Sequence, residues 1–96
     1  MVEKPIIGAE EAAALAREGM VVHIGGFLGC GSPNAILRAL AKAPARGLTL
    51  VCNDTAVLDP RTGRTTGVAP LIPLGVFSKV IVSQLGPNPE THRQMN

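Results

Sequence analysis

Aromatic side chains are almost missing from this sequence of 96 residues: Trp and Tyr are absent, and Phe occurs twice. Modules that bind single-stranded nucleic acid stack the bases on aromatic side chains. The formal net charge is only +2, and the charges are split evenly: residues 1–48 carry five basic and four acidic side chains, and residues 49–96 carry four and three. Because there is no basic stripe for a duplex or an anionic membrane, the composition predicts no nucleic-acid partner.

Long hydrophobic runs are lacking as well. The longest, from Met20 to Gly31, is interrupted by His23 and four glycines, whereas a membrane helix needs about 20 apolar residues. Glu3, Glu10 and Glu11 near the start contradict a secretory signal. We therefore expect no membrane association and a cytoplasmic protein.

Cysteine is scarce, and Cys30 and Cys52 have neither zinc-type spacing nor the pattern of a disulfide framework. No cluster of His, Cys and carboxylate residues has ligand spacing, so no metal is predicted. What is present is aliphatic: 46% of the residues are hydrophobic and 17% are charged. This composition is typical of a folded chain, and the length allows at most one domain.

Three short apolar runs rich in Val, Ile, Leu and Thr predict strands at Met20–Ile24, Leu48–Cys52 and Val80–Ser83. The runs are continuous, as in parallel strands that are covered on both faces. Helical patterns occupy Ala9–Glu18 and Pro33–Ala43. A strand, a helix and a strand in this order predict an α/β fold with a parallel sheet.

The connections between these elements carry their own signals. Gly19 is predicted to cap the first helix, and Ser32 to cap the second. Asn53–Ala69 is predicted to be an exposed loop, followed by a short apolar element at Pro70–Phe77 and the start of a helix at Pro89–Asn96. Since the sheet ends as this helix begins, we expect an uncovered face that another segment covers.

The most informative motif is the glycine-rich segment from Gly25 to Pro33. It follows the first strand and opens a helix, which is where open α/β sheets bind ligands. Glycines allow a ligand to approach the backbone, and helix N-terminal amides hold anions. The spacing differs from the dinucleotide fingerprint, and the P-loop lysine is missing. Tight backbone packing is the alternative interpretation.

The residues of this segment carry a family resemblance. Gly25–Phe27, followed by Gly31 and Pro33, resembles the first signature of the family I coenzyme A transferases. Asn53–Ala56 is similar to the alpha subunits of the acetate, butyrate and acetoacetate branch more than to the succinyl/3-oxoacid branch. Gly86–Thr91 is similar to the turn after the third strand of these subunits.

The resemblance implies an open, three-layer, mainly parallel α/β sheet of the kind shared with sugar-phosphate isomerases, incomplete in this chain. Residues 1–96 would be the N-terminal part of an alpha-subunit domain. The implied reaction moves CoA from an acyl-CoA to a short-chain carboxylate or 3-oxoacid through a glutamyl-CoA thioester. The nucleophilic Glu is expected in a partner beta subunit, because no Ser-Glu-Asn-Gly-like motif occurs here. CoA is then a substrate, and no cofactor is implied.

The resemblance also implies roles for individual residues. The CoA-binding loop comprises Gly25, Gly26, Phe27, Leu28, Gly29, Cys30 and Gly31. Its backbone amides suit either a phosphate or a developing thioester oxyanion, and the sequence does not choose between the two. Further residues that would line the site are Asn53, Asp54, Asn88 and Glu90. A role in turn formation is the alternative for Asn53 and Asp54, and a favourable contact with the helix dipole is the alternative for Glu90.

Two other residues invite a catalytic interpretation that we do not adopt. His23 lies within a strand and is interpreted as a core or interface histidine. Cys30 is interpreted as a small buried thiol. A second hypothesis for the whole chain is a non-catalytic α/β fragment that binds CoA or a phosphate, and a third is a truncated piece of a longer subunit.

Overall fold

The computed structural model describes residues 3–95. Within these residues, three helices and five strands follow one another. In order, they are α1 Ala9–Ala14, β1 Val21–His23, α2 Asn34–Lys42, β2 Leu48–Cys52, β3 Leu58–Asp59, β4 Arg64–Thr65, a 3-10 turn at Ala69–Leu71, β5 Phe77–Val82 and α3 Pro89–Met95.

The main sheet has three parallel strands in the order β1-β2-β5. Leu50 in the central strand pairs with Val22 on one side and with Val80 on the other. The ladder continues past β1, where the amide of Ile24 donates to the carbonyl of Val51 over 2.9 Å. The predicted α/β fold with a parallel sheet is therefore confirmed, and the carboxyl ends of β1 and β2 lie at the same edge.

The core is centred on β2, because a central parallel strand is covered on both faces. Leu48 and Leu50 are fully buried there. The apolar stripe of α2 buries Leu37 and Leu40, and α1 packs against α2. The outer strands are less covered: Val21 in β1 and Ile81 in β5 remain exposed.

Several predicted element boundaries were wrong. Helix α1 ends at Ala14, four residues before Glu18, so Gly19 lies in a separate turn that the Met20 amide closes on the carbonyl of Arg17. Ser32 makes no side-chain capping bond to α2, which begins at Asn34. The hydrogen-bonded start of β5 lies at Phe77 rather than at Val80, since strand pairing extends further than the purely apolar run.

The segment Asn53–Ala69 differs most from its prediction. It contains a two-stranded antiparallel sheet in which Leu58 pairs with Thr65 and Asp59 with Arg64. Its two ends are buried, including Thr55 at the start and Val68 near the finish. The two ends of the segment are therefore packed parts of the fold, whereas residues 60–65 between them are exposed, as predicted. Among residues 3–95, no helix is long and apolar enough to cross a membrane.

Candidate functional site

The segment Gly25–Gly31 folds as a tight turn of its own, which we call the glycine hairpin. The amide of Phe27 donates to the carbonyl of Cys30 over 2.9 Å, and the amide of Cys30 donates back to Phe27 over 2.8 Å. Leu28 and Gly29 between them have φ angles of +51° and +89°. Two successive positive φ angles are what a type I′ turn requires. The sequence prediction of a simple strand-to-helix turn missed this hairpin, since Leu is unusual at its first turn position.

A buried carboxylate holds the hairpin from one side. Asp54, the second residue after the end of β2, is 4% exposed. Its Oδ2 accepts a hydrogen bond from the amide of Leu28 over 3.1 Å, and its Oδ1 accepts one from the amide of Ala56 over 2.7 Å. The side-chain amide of Asn53 also donates to Oδ2. Of the predicted lining residues, Asp54 is the one that the structure brings into direct contact with the glycine hairpin.

A threonine that the sequence prediction missed holds the hairpin from the other side. The Thr66 hydroxyl donates to the carbonyl of Leu28 over 3.0 Å and accepts from the amide of Val57 over 3.0 Å. A Cβ on Gly29 would lie 2.4 Å from the Thr66 Cβ and 3.0 Å from the amide nitrogen of Gly67. No sequence signal pointed to Thr66, because it belongs to the segment that was predicted to be an exposed loop.

The amides of the glycine hairpin divide into two groups. Those of Phe27, Leu28 and Cys30 donate to protein acceptors. Within residues 3–95 the structure gives no acceptor for the amides of the four glycines, namely Gly25, Gly26, Gly29 and Gly31. The Phe27 side chain is 58% exposed beside them. The hairpin therefore combines three amides that are bonded within the protein with four glycine amides that no acceptor in residues 3–95 engages, which we call open.

Asn53 and Asn88, two other predicted lining residues, make hydrogen bonds to Asp54 and to Thr55 beside it. Asn88 is fully buried, and its side-chain amide donates to the carbonyl of Thr55 over 2.9 Å, while its oxygen accepts from the amide of Thr91. Asn53 is exposed. Asn88 thus fastens the start of α3 to the residue beside Asp54.

Glu90 in the first turn of α3 is engaged within its own helix. The Arg93 Nε donates to the Glu90 Oε2 over 3.0 Å, and the side-chain amide of Gln94 donates to Oε1. These hydrogen bonds, first from Arg93 and then from Gln94, lower the pKa of Glu90 to about 2. Glu90 is therefore an ionised carboxylate that accepts hydrogen bonds from two residues of its own helix, and Arg93 forms an ion pair with it.

The two cysteines occupy different environments. Cys30 is exposed, so its interpretation as a buried thiol was wrong: the tight turn directs the residue outward. Cys52 at the end of β2 is half-buried and donates to the carbonyl of Asp54. Burial, and then the charge of Asp54, raises the pKa of the Cys52 thiol to about 11. His23 is exposed in this chain, so it is not a core histidine, and its interface role stays a prediction.

Comparison with known sequences agrees with this architecture. The family model described as Coenzyme A transferase matches residues 6–96. The matched residues include the parallel sheet and the glycine hairpin at its carboxyl edge. The chain therefore belongs to the coenzyme A transferase family. The resemblance proposed from the sequence is confirmed.

Individual relatives are themselves subunits of CoA-transferases. The chain is 44% identical over 86 residues to the alpha subunit of the acetate CoA-transferase of Escherichia coli (strain K12), covering 90% of this chain and 36% of that protein. It is 33% identical over 90 residues to the acetoacetyl-CoA:acetate/butyrate CoA transferase alpha subunit of Clostridium acetobutylicum, covering 94% and 38%. It is 34% identical over 89 residues to one of the subunits of the succinyl-CoA:3-ketoacid coenzyme A transferase of Xanthomonas campestris pv. campestris (strain B100), covering 90% and 34%. The chain spans about a third of the length of these curated relatives.

Proposed function

We propose that this chain is part of the alpha subunit of a CoA-transferase that moves CoA from an acyl-CoA to a short-chain carboxylate or 3-oxoacid. Acetate, butyrate and acetoacetate are the proposed acids, in line with the relatives that are named for acetate, butyrate and acetoacetyl-CoA. The proposed setting is the cytoplasm, without a metal, a nucleic acid or a membrane as partner.

The observation that carries this proposal is the glycine hairpin with its four open glycine amides. They lie at the carboxyl edge of a parallel sheet, where ligands of α/β proteins bind. Preorganised backbone amides stabilise negative charge on a phosphate or on a thioester oxyanion. The exposed ring of Phe27 beside them provides an apolar surface for the pantetheine arm of CoA.

A partner beta subunit supplies the nucleophile in this proposal. One of its glutamate carboxylates attacks the acyl-CoA carbonyl, so that an acyl-glutamyl anhydride forms and the CoA thiolate leaves. The thiolate then attacks the glutamyl carbonyl, which forms the glutamyl-CoA thioester and releases the donor acid. The acceptor carboxylate reverses both steps and leaves as the new acyl-CoA. The hairpin's part is to bind CoA and to stabilise negative charge during these steps.

Cys30 offers a direct test of the proposed contact, because it lies in the glycine hairpin and is exposed. In the full-length protein assembled with its beta subunit, we expect CoA to slow the reaction of Cys30 with a maleimide at pH 7.5. Cys52 is the internal control, since its pKa of about 11 keeps the thiol protonated at this pH. Equal labelling of Cys30 with and without saturating CoA would contradict contact at the hairpin.

Gly25 separates a role in ligand binding from a role in packing. Its backbone does not need a positive φ, and a Cβ built there meets nothing within 4 Å. We expect Gly25→Ala to keep the melting temperature and to lower kcat/KM for acetyl-CoA by roughly tenfold or more, because a methyl group would displace a ligand held against the backbone. Gly8→Ala is the matched control, since that glycine also has open space and an ordinary φ.

The activity assay also decides between the transferase hypothesis and the hypothesis of a non-catalytic binding module. Transfer of CoA between acetyl-CoA and any short-chain acid, with a borohydride-sensitive glutamyl thioester on the beta subunit, supports the transferase. CoA protection of Cys30 in an assembled protein that transfers CoA to no acid would instead support a non-catalytic CoA-binding module.

A further inference from the structure

Leu28 occupies a conformation that its side chain disfavours. Its φ of +51° lies in the left-handed region, which costs a residue with a Cβ about 1–2 kcal/mol. Non-glycine residues in such conformations persist where the surrounding structure holds them, and they are frequent at functional sites. The contacts around the Leu28 backbone therefore show what keeps the glycine hairpin in shape.

Two side chains hold that backbone from opposite ends. The Leu28 amide donates to the buried carboxylate of Asp54 over 3.1 Å, and the Leu28 carbonyl accepts from the Thr66 hydroxyl over 3.0 Å. The two partners lie 26 and 38 positions further along the chain, after different strands. Because the Thr66 hydroxyl also accepts from the Val57 amide, its single proton is directed to Leu28.

Neither side chain needs to touch the substrate to act here. Asp54 is buried, and its oxygens accept from amides within the protein. The bond to Asp54 also removes the Leu28 amide from the donors that a ligand would use, which leaves the glycine amides on either side of it. These glycines keep their orientation only as long as Leu28 stays left-handed.

We propose that Asp54 and Thr66 are positioning residues that clamp Leu28 in its left-handed conformation and so aim the neighbouring glycine amides at the acyl-CoA. This rests on the proposed function of the glycine hairpin as the CoA-contacting element. Asp54 follows β2 and Thr66 follows β4, so the orientation of the glycine amides depends on the segments after both strands.

The first test requires no variant. In the full-length protein assembled with its beta subunit, residue-resolved hydrogen exchange should find the Leu28 amide protected and the amides of Gly29 and Gly31 exchanging faster, because only the first is bonded within the protein. A Leu28 amide that exchanges as fast as those of its glycine neighbours would overturn the clamp.

The second test replaces the hydroxyl of Thr66. Thr66→Val keeps the shape of the side chain but cannot donate, whereas Thr66→Ser keeps the donor. Thr66→Val removes both bonds of the hydroxyl, the one to the Leu28 carbonyl and the one from the Val57 amide. We expect a three- to tenfold fall, roughly, in kcat/KM for acetyl-CoA in the Val variant and recovery of most of the activity in the Ser variant. Exchange of residues 25–31 should rise in the Val variant alone. Thr62→Val is the control, because that threonine is exposed and lies away from the hairpin.

The outcomes separate this inference from the function on which it rests. The positioning role would be overturned if Thr66→Val changed neither kcat/KM nor the hydrogen exchange of residues 25–31. It would also be overturned if the Val and Ser variants lost the same fraction of kcat/KM. In both cases the proposed CoA transfer would stand. A wild-type protein that transfers CoA to no acid would instead overturn the proposed function. The loop exchange would then still report whether the clamp exists.

Discussion

The described part of the chain, residues 3–95, contains two short hairpins whose turns are held in different ways. The glycine hairpin turns at Leu28 and Gly29 and is held by Asp54 and Thr66. The second, which we call the arginine hairpin, consists of β3, β4 and the residues between them, 58–65, and its turn is largely exposed. The turn of the glycine hairpin is held by distant side chains, whereas the side-chain bonds in the turn of the arginine hairpin come from its own residues.

Both turns contain a glycine with a positive φ, but for different reasons. Gly63 in the arginine hairpin has a φ of +73°, and a Cβ there would meet nothing within 4 Å. Gly29 has a φ of +89°, and a Cβ there would overlap the side chain of Thr66 and approach the backbone of Gly67. The first glycine serves backbone conformation alone, whereas the second also permits a close approach between two loops. A side chain at the glycine position is therefore excluded by neighbouring atoms in the glycine hairpin but not in the arginine hairpin.

The largest predicted effect follows from this contrast. Gly63→Ala should cost only the conformational penalty, about 1–2 kcal/mol. Gly29→Ala should cost that amount and a further 1–3 kcal/mol, roughly, for the overlap with Thr66. The two variants are compared by the drop in melting temperature of the full-length protein. Equal drops would mean that Thr66 moves away freely and that the hairpin is not tightly held.

The second prediction compares the two aspartates. Asp54→Asn replaces one oxygen by an amide that cannot accept, so one of the buried amides of Leu28 and Ala56 loses its partner at a cost of about 1–3 kcal/mol. Asp59→Asn acts on an exposed turn and should lower the melting temperature far less. Thermal melts of both variants at pH 7 check this order, and a larger drop for Asp59→Asn would contradict it.

Much of the main sheet was predictable because its signals are local. Continuous apolar runs identified the three strands. The apolar stripe predicted for α2 comprised Ile36, Leu37, Leu40 and Ala41, and of these Leu37 and Leu40 are buried whereas Ile36 is exposed. Helix α1 was predicted too long, because Ala and Glu favour helix as far as Glu18. In the structure it ends at Ala14, and a separate turn closed by the Met20 amide on the Arg17 carbonyl follows. Strand β4, at Arg64 and Thr65, has no apolar content and was missed.

The candidate site was predictable only in part, because its contacts are long-range. The glycine hairpin and Asp54 lie next to predicted strand ends, so the common edge of a parallel sheet placed them together. Thr66 reaches Leu28 from 38 positions away, and nothing in its neighbouring residues marks it. The buried role of Asn88 follows from a bond to Thr55 across 33 positions, which no periodicity indicates.

The smallest predicted effect concerns how the arginine hairpin responds to pH. The Arg61 amide donates to the Asp59 Oδ1 over 2.9 Å, and this backbone bond is the first cause that lowers the pKa of Asp59 below its ordinary value of 3.8. A lowered carboxyl pKa contributes stability above the ordinary value, and that contribution is lost as the pH falls through the folded value. The turn should therefore loosen in acid.

Arg61→Gln tests the cause of this shift, since the variant keeps the backbone donor and removes the exposed guanidinium. We expect a carboxyl ¹³C NMR titration of the full-length protein to find the pKa of Asp59 still below 3.8 in the variant, because the Arg61 side chain contributes less than its amide. A return to 3.8 would assign the shift to the ion pair instead, although the 88% exposure of the Arg61 side chain leaves that pair well screened by water. The turn of the arginine hairpin would then be held by an exposed ion pair, whereas the turn of the glycine hairpin is held by the buried carboxylate of Asp54.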